Sequence, residues 1–243
     1  MKKYAVRNQY LRLHTKLILK LIAKGKISPR KIWNAFVCWI KYHLKITRSA
    51  SFPLMISIEL WNECNVNCVF CRNEKGEIFD INPLNGKSPI VKGRMSYELY
   101  CDIIDQVKDH VLVAVLYTNG EPLMYKDLIK CVQYATDHNV ATIIATNGTL
   151  MTEQKARDLL NAGLDFVKIQ LSGFTQETYS VQVRKGDVEK VKAGIAAFDK
   201  INREGKHNAL VLVDYISYNY NKHEFPLIQA FCADKNVMLS SRR

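Results

Sequence analysis

The sequence contains no run of about 20 uncharged apolar residues, although 48% of its 243 residues are hydrophobic. It therefore predicts no membrane-spanning helix. Its start, Met1-Lys2-Lys3-Tyr4, also lacks the uninterrupted apolar stretch and the small-residue cleavage site of a secretory signal. Together these absences favour a cytoplasmic protein.

Acidic residues are missing from the beginning of the chain, where Glu59 is the first. Residues 1–50 contain 13 Lys and Arg, which leaves 22 basic and 23 acidic residues for the rest of the sequence. The net charge of +12 therefore belongs to an N-terminal arm, and the remainder is nearly neutral. A basic arm indicates anionic surroundings, such as nucleic-acid phosphate, lipid headgroups or an acidic protein face.

A disulfide framework is also missing. The chain has seven cysteines, an odd number, and four of them are isolated from one another in the sequence. That distribution favours a reducing compartment. The other three, Cys64, Cys68 and Cys71, fall within eight residues and need a separate explanation.

Residues 1–52 are predicted to form a basic amphipathic helical arm. Lys16, Lys20 and Lys24 recur every four residues, with apolar side chains on another side of the same helix. A second helix, predicted from Arg30 to Leu44, carries a wide aromatic face. The two helices could pack on the outside of the main domain, with the lysines in solvent. They could instead lie on an anionic membrane surface, with tryptophans at headgroup level, which would make the protein peripheral. Nucleic acid is disfavoured because no base-reading residues accompany the lysines.

Residues 53–243 alternate between strand and helix patterns, which predicts βαβ units around a parallel sheet. Six strands are expected, fewer than the eight of a closed barrel. The fold class is therefore α/β, a partial (β/α)6 TIM-like barrel. Residues 72–94 are predicted to form a long surface loop. The predicted strands are 54–60, 111–117, 141–145, 166–171, 209–216 and 237–240, and the predicted helices are 97–110, 125–138, 153–162, 188–204 and 225–234.

The three clustered cysteines follow the first predicted strand with the spacing C-x3-C-x2-C. Three thiolates in such a loop can converge on one metal centre. A structural zinc site usually takes four protein ligands, and no His or Cys lies nearby to supply the fourth. A [4Fe–4S] cluster held by three cysteines would instead leave one iron open for an exogenous ligand. From spacing alone, a zinc knuckle or incidental cysteines stay open as alternatives.

The cysteine loop, with Phe70 directly before Cys71, resembles the C-x3-C-x-aromatic-C hallmark of the radical SAM superfamily. The resemblance extends over roughly residues 54–240. After the second barrel strand, the segment Thr118–Pro122 is similar to the Gly-Gly-Glu-Pro motif of that family, except that Asn119 replaces the first glycine. By this resemblance, Asn119, Gly120 and Glu121 bind the cofactor, with backbone and carboxylate holding the methionine amino group. An ammonium group does favour a carboxylate partner.

Three later segments also resemble motifs of the family. Asn147 lies in a Thr-Asn-Gly turn after the third barrel strand. Gln170 and Ser172 end the fourth, where two residues of the same strand parity point the same way. Arg184 matches an Arg-x-Gly element that follows, and an arginine there could bind a carboxylate bidentately. The resemblance implies that these four residues contact the cofactor.

The resemblance implies S-adenosylmethionine and a [4Fe–4S] cluster as cofactors. One electron from a flavodoxin- or ferredoxin-type donor would cleave the sulfonium to a 5′-deoxyadenosyl radical, which then takes hydrogen from a substrate. A peptide, sugar or lipid-linked compound is expected as substrate. The catalytic residues cannot be assigned from the sequence. The chain ends almost where the sixth strand finishes, without the cysteine-rich domain of the branch it resembles. A shortened member, a fragment or a chain completed by a partner is expected. The competing hypotheses are a cluster-binding scaffold without catalysis and a zinc-knuckle protein that binds membrane or nucleic acid.

Overall fold

A computed structural model describes residues 2–47, 51–72 and 92–242 of the chain, with the backbone alone over residues 2–12. Most of the predicted surface loop 72–94, and residues 48–50 near the end of the predicted arm, lie outside the described residues. The first two helices are α1 (Lys2–Ala23) and α2 (Pro29–His43). Helix α2 begins with Ser28 as its cap and a proline in its first turn.

The main domain is built on a sheet of six parallel strands. The strands of the chain are β1 (Met55–Ser57), β2 (Asn67–Cys68), β3 (Val113–Val115), β4 (Ala141–Thr146), β5 (Phe166–Gln170), β6 (Val183–Arg184), β7 (Leu210–Ile216) and β8 (Met238–Arg242). The order across the large sheet is β1-β3-β4-β5-β7-β8. The other two strands, β2 and β6, form a separate antiparallel pair. The six parallel strands confirm the predicted α/β architecture, and the sheet is open rather than closed into a barrel.

Six helices connect the strands and cover one face of the sheet. They are α3 (Tyr97–Val107), α4 (Leu128–Asp137), α5 (Glu153–Asn161), α6 (Gln176–Gln182), α7 (Val188–Glu204) and α8 (Phe225–Asp234). Side chains of Ser96, Thr152, Thr175 and Asp187 accept hydrogen bonds from the first turns of α3, α5, α6 and α7. Their apolar faces pack on alternate strand residues such as Ile144, Val167 and Val213, as the period of two requires. Helices α7 and α8 have the predicted bounds.

Helix α6 and the β2–β6 pair are absent from the predicted elements. Both are short: seven residues in α6 and two in each of the strands. Such segments are too short for a helical or alternating period to stand out. The predicted strand 54–60 is also shorter in the structure, because its ladder ends at Ser57 and the chain turns into the cysteine loop.

Helix α1 covers the opposite face of the sheet. Its buried side chains Leu13, Leu17 and Leu21 pack there as one stripe. The strand residues that they join in this second core are Val113, Val115, Ala141, Ile143, Phe166 and Leu212. The prediction that the arm packs on the outside of the barrel is therefore wrong for α1. This helix covers the face of the sheet that α3–α8 leave open.

The lysines of this region are also not all in solvent, contrary to that prediction. Nζ of Lys24 and Lys26 lie 3.0 and 2.8 Å from the carboxylate oxygens of Asp165, which has no exposed surface. Lys20 donates to the Asp165 carbonyl oxygen at 2.7 Å. Burial lowers the pKa of Lys20 to about 7. Although burial opposes it, the three lysines hold the pKa of Asp165 below its ordinary value. The lysines converge on the buried aspartate because a positive charge removed from water needs a negative partner.

No helix in the described ranges combines the length and apolar composition needed to cross a bilayer.

Candidate active site

The predicted cofactor residues gather at the carboxyl ends of the parallel strands. The loop that follows β1 carries Cys64 and leads into β2, which contains Cys68 and is followed by Cys71. Because β2 pairs with β6, Cys68 lies opposite Val183, and Asn67 opposite Arg184. This pairing brings Arg184, about 120 residues later in the sequence, beside the cysteine loop. No helix or strand pattern in the sequence indicates it.

The three thiols influence one another electrostatically. Burial, followed by the neighbouring sulfurs of Cys71 and Cys64, raises the pKa of Cys68 to about 12. Burial and Cys64 likewise raise the pKa of Cys71. Within the parts of the chain that the structure describes, no three His, Cys, Asp or Glu side chains already form a metal-binding group. Their mutual influence shows that the three thiols lie near one another, although they do not form a ready metal-binding group.

The chemistry of these donors fits an iron–sulfur cluster. Thiolates are its usual ligands, and a bound cation reverses the penalty that burial places on them. Arg72 directly follows Cys71 and lowers the pKa of all three thiols, against the effect of burial. Its buried guanidinium donates to the carbonyl oxygen of Asn62 at 3.0 Å. Sequence reasoning missed Arg72, and its position next to a predicted cysteine ligand was the available signal.

Asn147 joins the turn after β4 to the cysteine loop. Its side-chain amide donates to the sulfur of Cys64 at 3.6 Å and to Oδ1 of Asn65 at 3.0 Å. Its own Oδ1 accepts from the backbone N–H of Thr149 at 2.9 Å. Asn147 thus lies at the predicted cluster, where an N–H donor to sulfur stabilises negative charge on the thiolate.

Glu121 lies almost entirely inside the protein, with 2% of its surface exposed. One carboxylate oxygen accepts from the hydroxyl of Thr146 at 2.7 Å and from the N–H of Leu123 at 3.0 Å. The other accepts from the N–H of Asn147 at 2.8 Å. Burial raises its pKa despite these donors. Its carboxylate thus positions the turn after β4, and contact with a methionine amino group stays a prediction.

Gly120 is required by a close approach of two loops. A Cβ atom at this position would lie 1.7 Å from the carbonyl oxygen of Trp61, at the start of the cysteine loop. The next residue donates its N–H to the carbonyl oxygen of Glu63 at 2.8 Å. Asn119 is held from the other side, because its N–H donates to Glu59 at 2.6 Å. The predicted motif after β3 therefore packs directly on the cysteine loop.

The remaining predicted site residues differ in how deeply they are buried and in what they contact. Gln170 donates to the hydroxyl of Ser172 at 3.1 Å, which confirms that they point the same way. Phe70 is 48% exposed, beside Cys71. Asn221, which sequence reasoning missed, is fully buried and donates to the carbonyl oxygen of Ser172 at 2.9 Å. It ties the loop after β5 to the loop after β7.

A charged group lies on the sheet face that α1 covers. Asp214, buried on β7, is the register partner of Gln170 and accepts from Lys168 at 2.8 Å and from Arg242 at 2.5 Å. Alternation places Lys168 and Gln170 on the same side of β5. Sequence reasoning did not assign Lys168, Asp214 or Arg242, because the three come from separate strands.

Comparison with known proteins identifies a family. The model of the radical SAM superfamily matches residues 58–222. The AdoMet-dependent heme synthase of Methanosarcina barkeri is 29% identical over 149 residues, which are 61% of this chain and 40% of that protein. The probable GTP 3',8-cyclase of Methanocaldococcus jannaschii is 25% identical over 184 residues, 76% of this chain and 56% of the relative. The chain thus spans about half the length of these curated relatives or less.

A solved structure shows the same fold. Streptococcus suis SuiB bound to S-adenosylmethionine superposes with a TM-score of 0.62 at 16% identity, covering 81% of this chain and 41% of SuiB. At this identity the likeness concerns the arrangement of strands and helices alone.

Proposed function

We propose that this chain, which belongs to the radical SAM superfamily, binds a [4Fe–4S] cluster and reductively cleaves S-adenosylmethionine. These are the cofactors of the superfamily. When bound, they supply a 5′-deoxyadenosyl radical that abstracts hydrogen from a substrate. The protein's share is to bind and orient the reactants and to exclude water.

The observation that carries this proposal is the direct packing of three motif loops. Gly120 lies against the backbone at Trp61, and Asn147 connects Glu121 with Cys64. Each loop follows a different parallel strand, so this junction lies at the edge where α/β proteins build their sites. Cofactor groups bound there would contact all three loops at once.

Each predicted residue receives a role on this basis. Cys64, Cys68 and Cys71 are the proposed cluster ligands, with Arg72 and Asn147 offsetting their negative charge. The backbone of the Asn119–Gly120 turn and the carboxylate of Glu121 are proposed to bind the amino end of S-adenosylmethionine. Phe70, Gln170, Ser172 and Arg184 remain proposed contacts to the rest of the cofactor.

The first experiment is anaerobic reconstitution of the full chain with iron and sulfide. We expect a brown species absorbing near 400 nm, and formation of 5′-deoxyadenosine after dithionite is added. The triple substitution of Cys64, Cys68 and Cys71 by Ala should abolish both. Replacing Cys131, Cys101 and Cys232 by Ala one at a time provides matched controls that retain the cluster. Zinc bound at one equivalent without iron uptake would refute the proposal.

The finer assignments follow from that reaction. A flavodoxin- or ferredoxin-type protein is proposed as the electron donor. The proposed substrate is a peptide, a sugar or a lipid-linked compound. Lys168 and Arg242, which both pair with Asp214 on the sheet face that α1 covers, are proposed to contact an anionic group of such a substrate. Retention of the cluster with no deoxyadenosine would favour the scaffold hypothesis.

A further inference from the structure

Helix α2 is amphipathic, but its polar side faces the protein and its apolar side faces outward. Lys31 donates to the carbonyl oxygen of Asn139 at 2.6 Å, and Asn34 forms hydrogen bonds in both directions with the backbone of Phe52 at 3.0 and 3.1 Å. Both Lys31 and Asn34 are buried. The polar side of α2 is therefore used to attach the helix to the domain.

The opposite side of α2 carries apolar and aromatic residues that point outward. We call Ile32, Trp33, Phe36 and Trp39 the aromatic face. Their exposed fractions are 59%, 66%, 47% and 58%. The spacing of three and four residues places them on one side of the helix. The rings also lie side by side, with centroids 5.8 Å apart for Trp33–Phe36 and 6.4 Å for Phe36–Trp39. Together they form a continuous apolar surface rather than scattered exposed residues.

We infer that α2 docks on an anionic lipid surface through this aromatic face. The charge of the region supports lipid as the occupant. Residues 1–50 contain no acidic residue, and nine basic residues remain besides the buried Lys31 and the three lysines that pair with Asp165. Tryptophan and phenylalanine on one side of a helix with lysine and arginine around it are the composition of helices that lie in the headgroup region. Just beyond the end of the helix at His43, the exposed Lys45 lies between the exposed Leu44 and Ile46.

The position of α2 determines the direction in which the candidate active site would face when the protein is docked on a membrane. The backbone groups that hold α2 belong to Phe52, His110 and Asn139, which precede β1, β3 and β4. The helix thus lies at the amino ends of the strands, and the cysteine loop lies at their carboxyl ends. Docking through α2 would leave the candidate site open to water. This orientation favours a substrate whose reacting part is in the aqueous phase over an acyl chain inside the bilayer.

The test is flotation of the full chain with phosphatidylcholine vesicles that contain about 30% phosphatidylglycerol, and with phosphatidylcholine alone. We expect binding to the anionic vesicles and a shift of tryptophan emission to shorter wavelength, because two of the three tryptophans lie on the aromatic face. The double variant Trp33→Ser/Trp39→Ser should bind at least about tenfold more weakly. The control Leu99→Ser/Leu227→Ser removes exposed leucines elsewhere, each 49% exposed, and should bind within about twofold of wild type.

Three results would overturn the inference. The first is equal binding by the tryptophan double variant, and the second is equal wild-type binding to both vesicle types. The third is a wild-type dimer without lipid that dissociates in the double variant, since a second copy would then cover the face. The test measures vesicle binding, so its outcome does not depend on whether the proposed reaction takes place. Loss of deoxyadenosine formation with intact vesicle binding would refute only the reaction.

Discussion

Gly120 and Asn147 show how single residues connect the loops of the candidate site. One lacks a side chain where two backbones meet, and the other bridges a carboxylate and a sulfur. These contacts are not visible in the local sequence, because Gly120 meets Trp61 about 60 residues away and Asn147 meets Cys64 about 80 residues away. Both residues can be tested without removing a cysteine.

Gly120→Ala should disrupt the junction, because the added methyl group would overlap the carbonyl oxygen of Trp61. We expect a loss of cluster content and a decrease of deoxyadenosine formation of about 100-fold, an effect of the size that a 1 Å displacement can cause. Iron and sulfide content and a turnover assay measure this. The control is Gly25→Ala, where a new Cβ meets no atom within 4 Å and the left-handed φ of 67° costs about 1 kcal/mol. Wild-type cluster content and turnover in Gly120→Ala would contradict the assignment.

Asn147→Asp should make the cluster harder to reduce. The substitution keeps the acceptor for Thr149 but replaces the amide donor beside Cys64 with an acceptor that can carry negative charge. Losing a hydrogen bond to sulfur and adding negative charge both shift the midpoint potential to more negative values. A redox titration followed by electron paramagnetic resonance measures the shift. Thr152→Ala, which removes only the cap of α5, is the control. An unchanged or more positive potential would contradict this role of Asn147.

Helix α1 illustrates how an element acquires its role from the rest of the fold. Its lysine period predicts an exposed basic side, yet Lys20 of the helix and Lys24 and Lys26 just after it converge on one buried aspartate directly before β5. The buried side of the helix is the leucine stripe, which the second core shares. The helix therefore depends on both an apolar face and a buried ion cluster.

Asp165→Asn should destabilise the apo-protein at neutral pH. It leaves buried lysines without a counter-charge, which typically costs about 3–5 kcal/mol. Because the pKa of Asp165 is below its ordinary value, its stabilisation is present above about pH 4 and is lost as the pH falls through the folded-state pKa. The difference in unfolding free energy between wild type and variant should therefore shrink in acid. Denaturant titrations followed by circular dichroism at several pH values measure it. A pH-independent difference would contradict the electrostatic explanation.

At the scale of the whole molecule, the sheet has two covered faces rather than one. Helices α3–α8 cover one face, and the leucine stripe of α1 covers apolar residues of the other. The predicted boundary between an arm at 1–52 and a core at 53–243 stays a prediction. The packing of α1 nevertheless makes it part of the same hydrophobic structure.

Leu21→Ala tests whether α1 contributes to global stability. Leu21 is 1% exposed, and truncating such a side chain to alanine typically costs about 2–5 kcal/mol. The matched control is its neighbour Ile22→Ala, whose side chain is 58% exposed and should change stability by about 0.5 kcal/mol or less. Equal effects of the two substitutions on the free energy of unfolding would show that α1 is a separable arm.

The sequence alone determined the features that depend on short spacing. Strand and helix periods identified the parallel α/β fold, and C-x3-C-x2-C with the later motif loops indicated the superfamily, because these signals lie within a few neighbouring residues. The tertiary structure decided which distant groups meet. Lys20 of α1 and the two lysines after the helix pair with Asp165 some 140 residues away, Glu121 turns its carboxylate toward the β4 loop, and α2 directs its aromatic face outward. Those choices depend on burial and on competition for partners, which local periodicity does not encode.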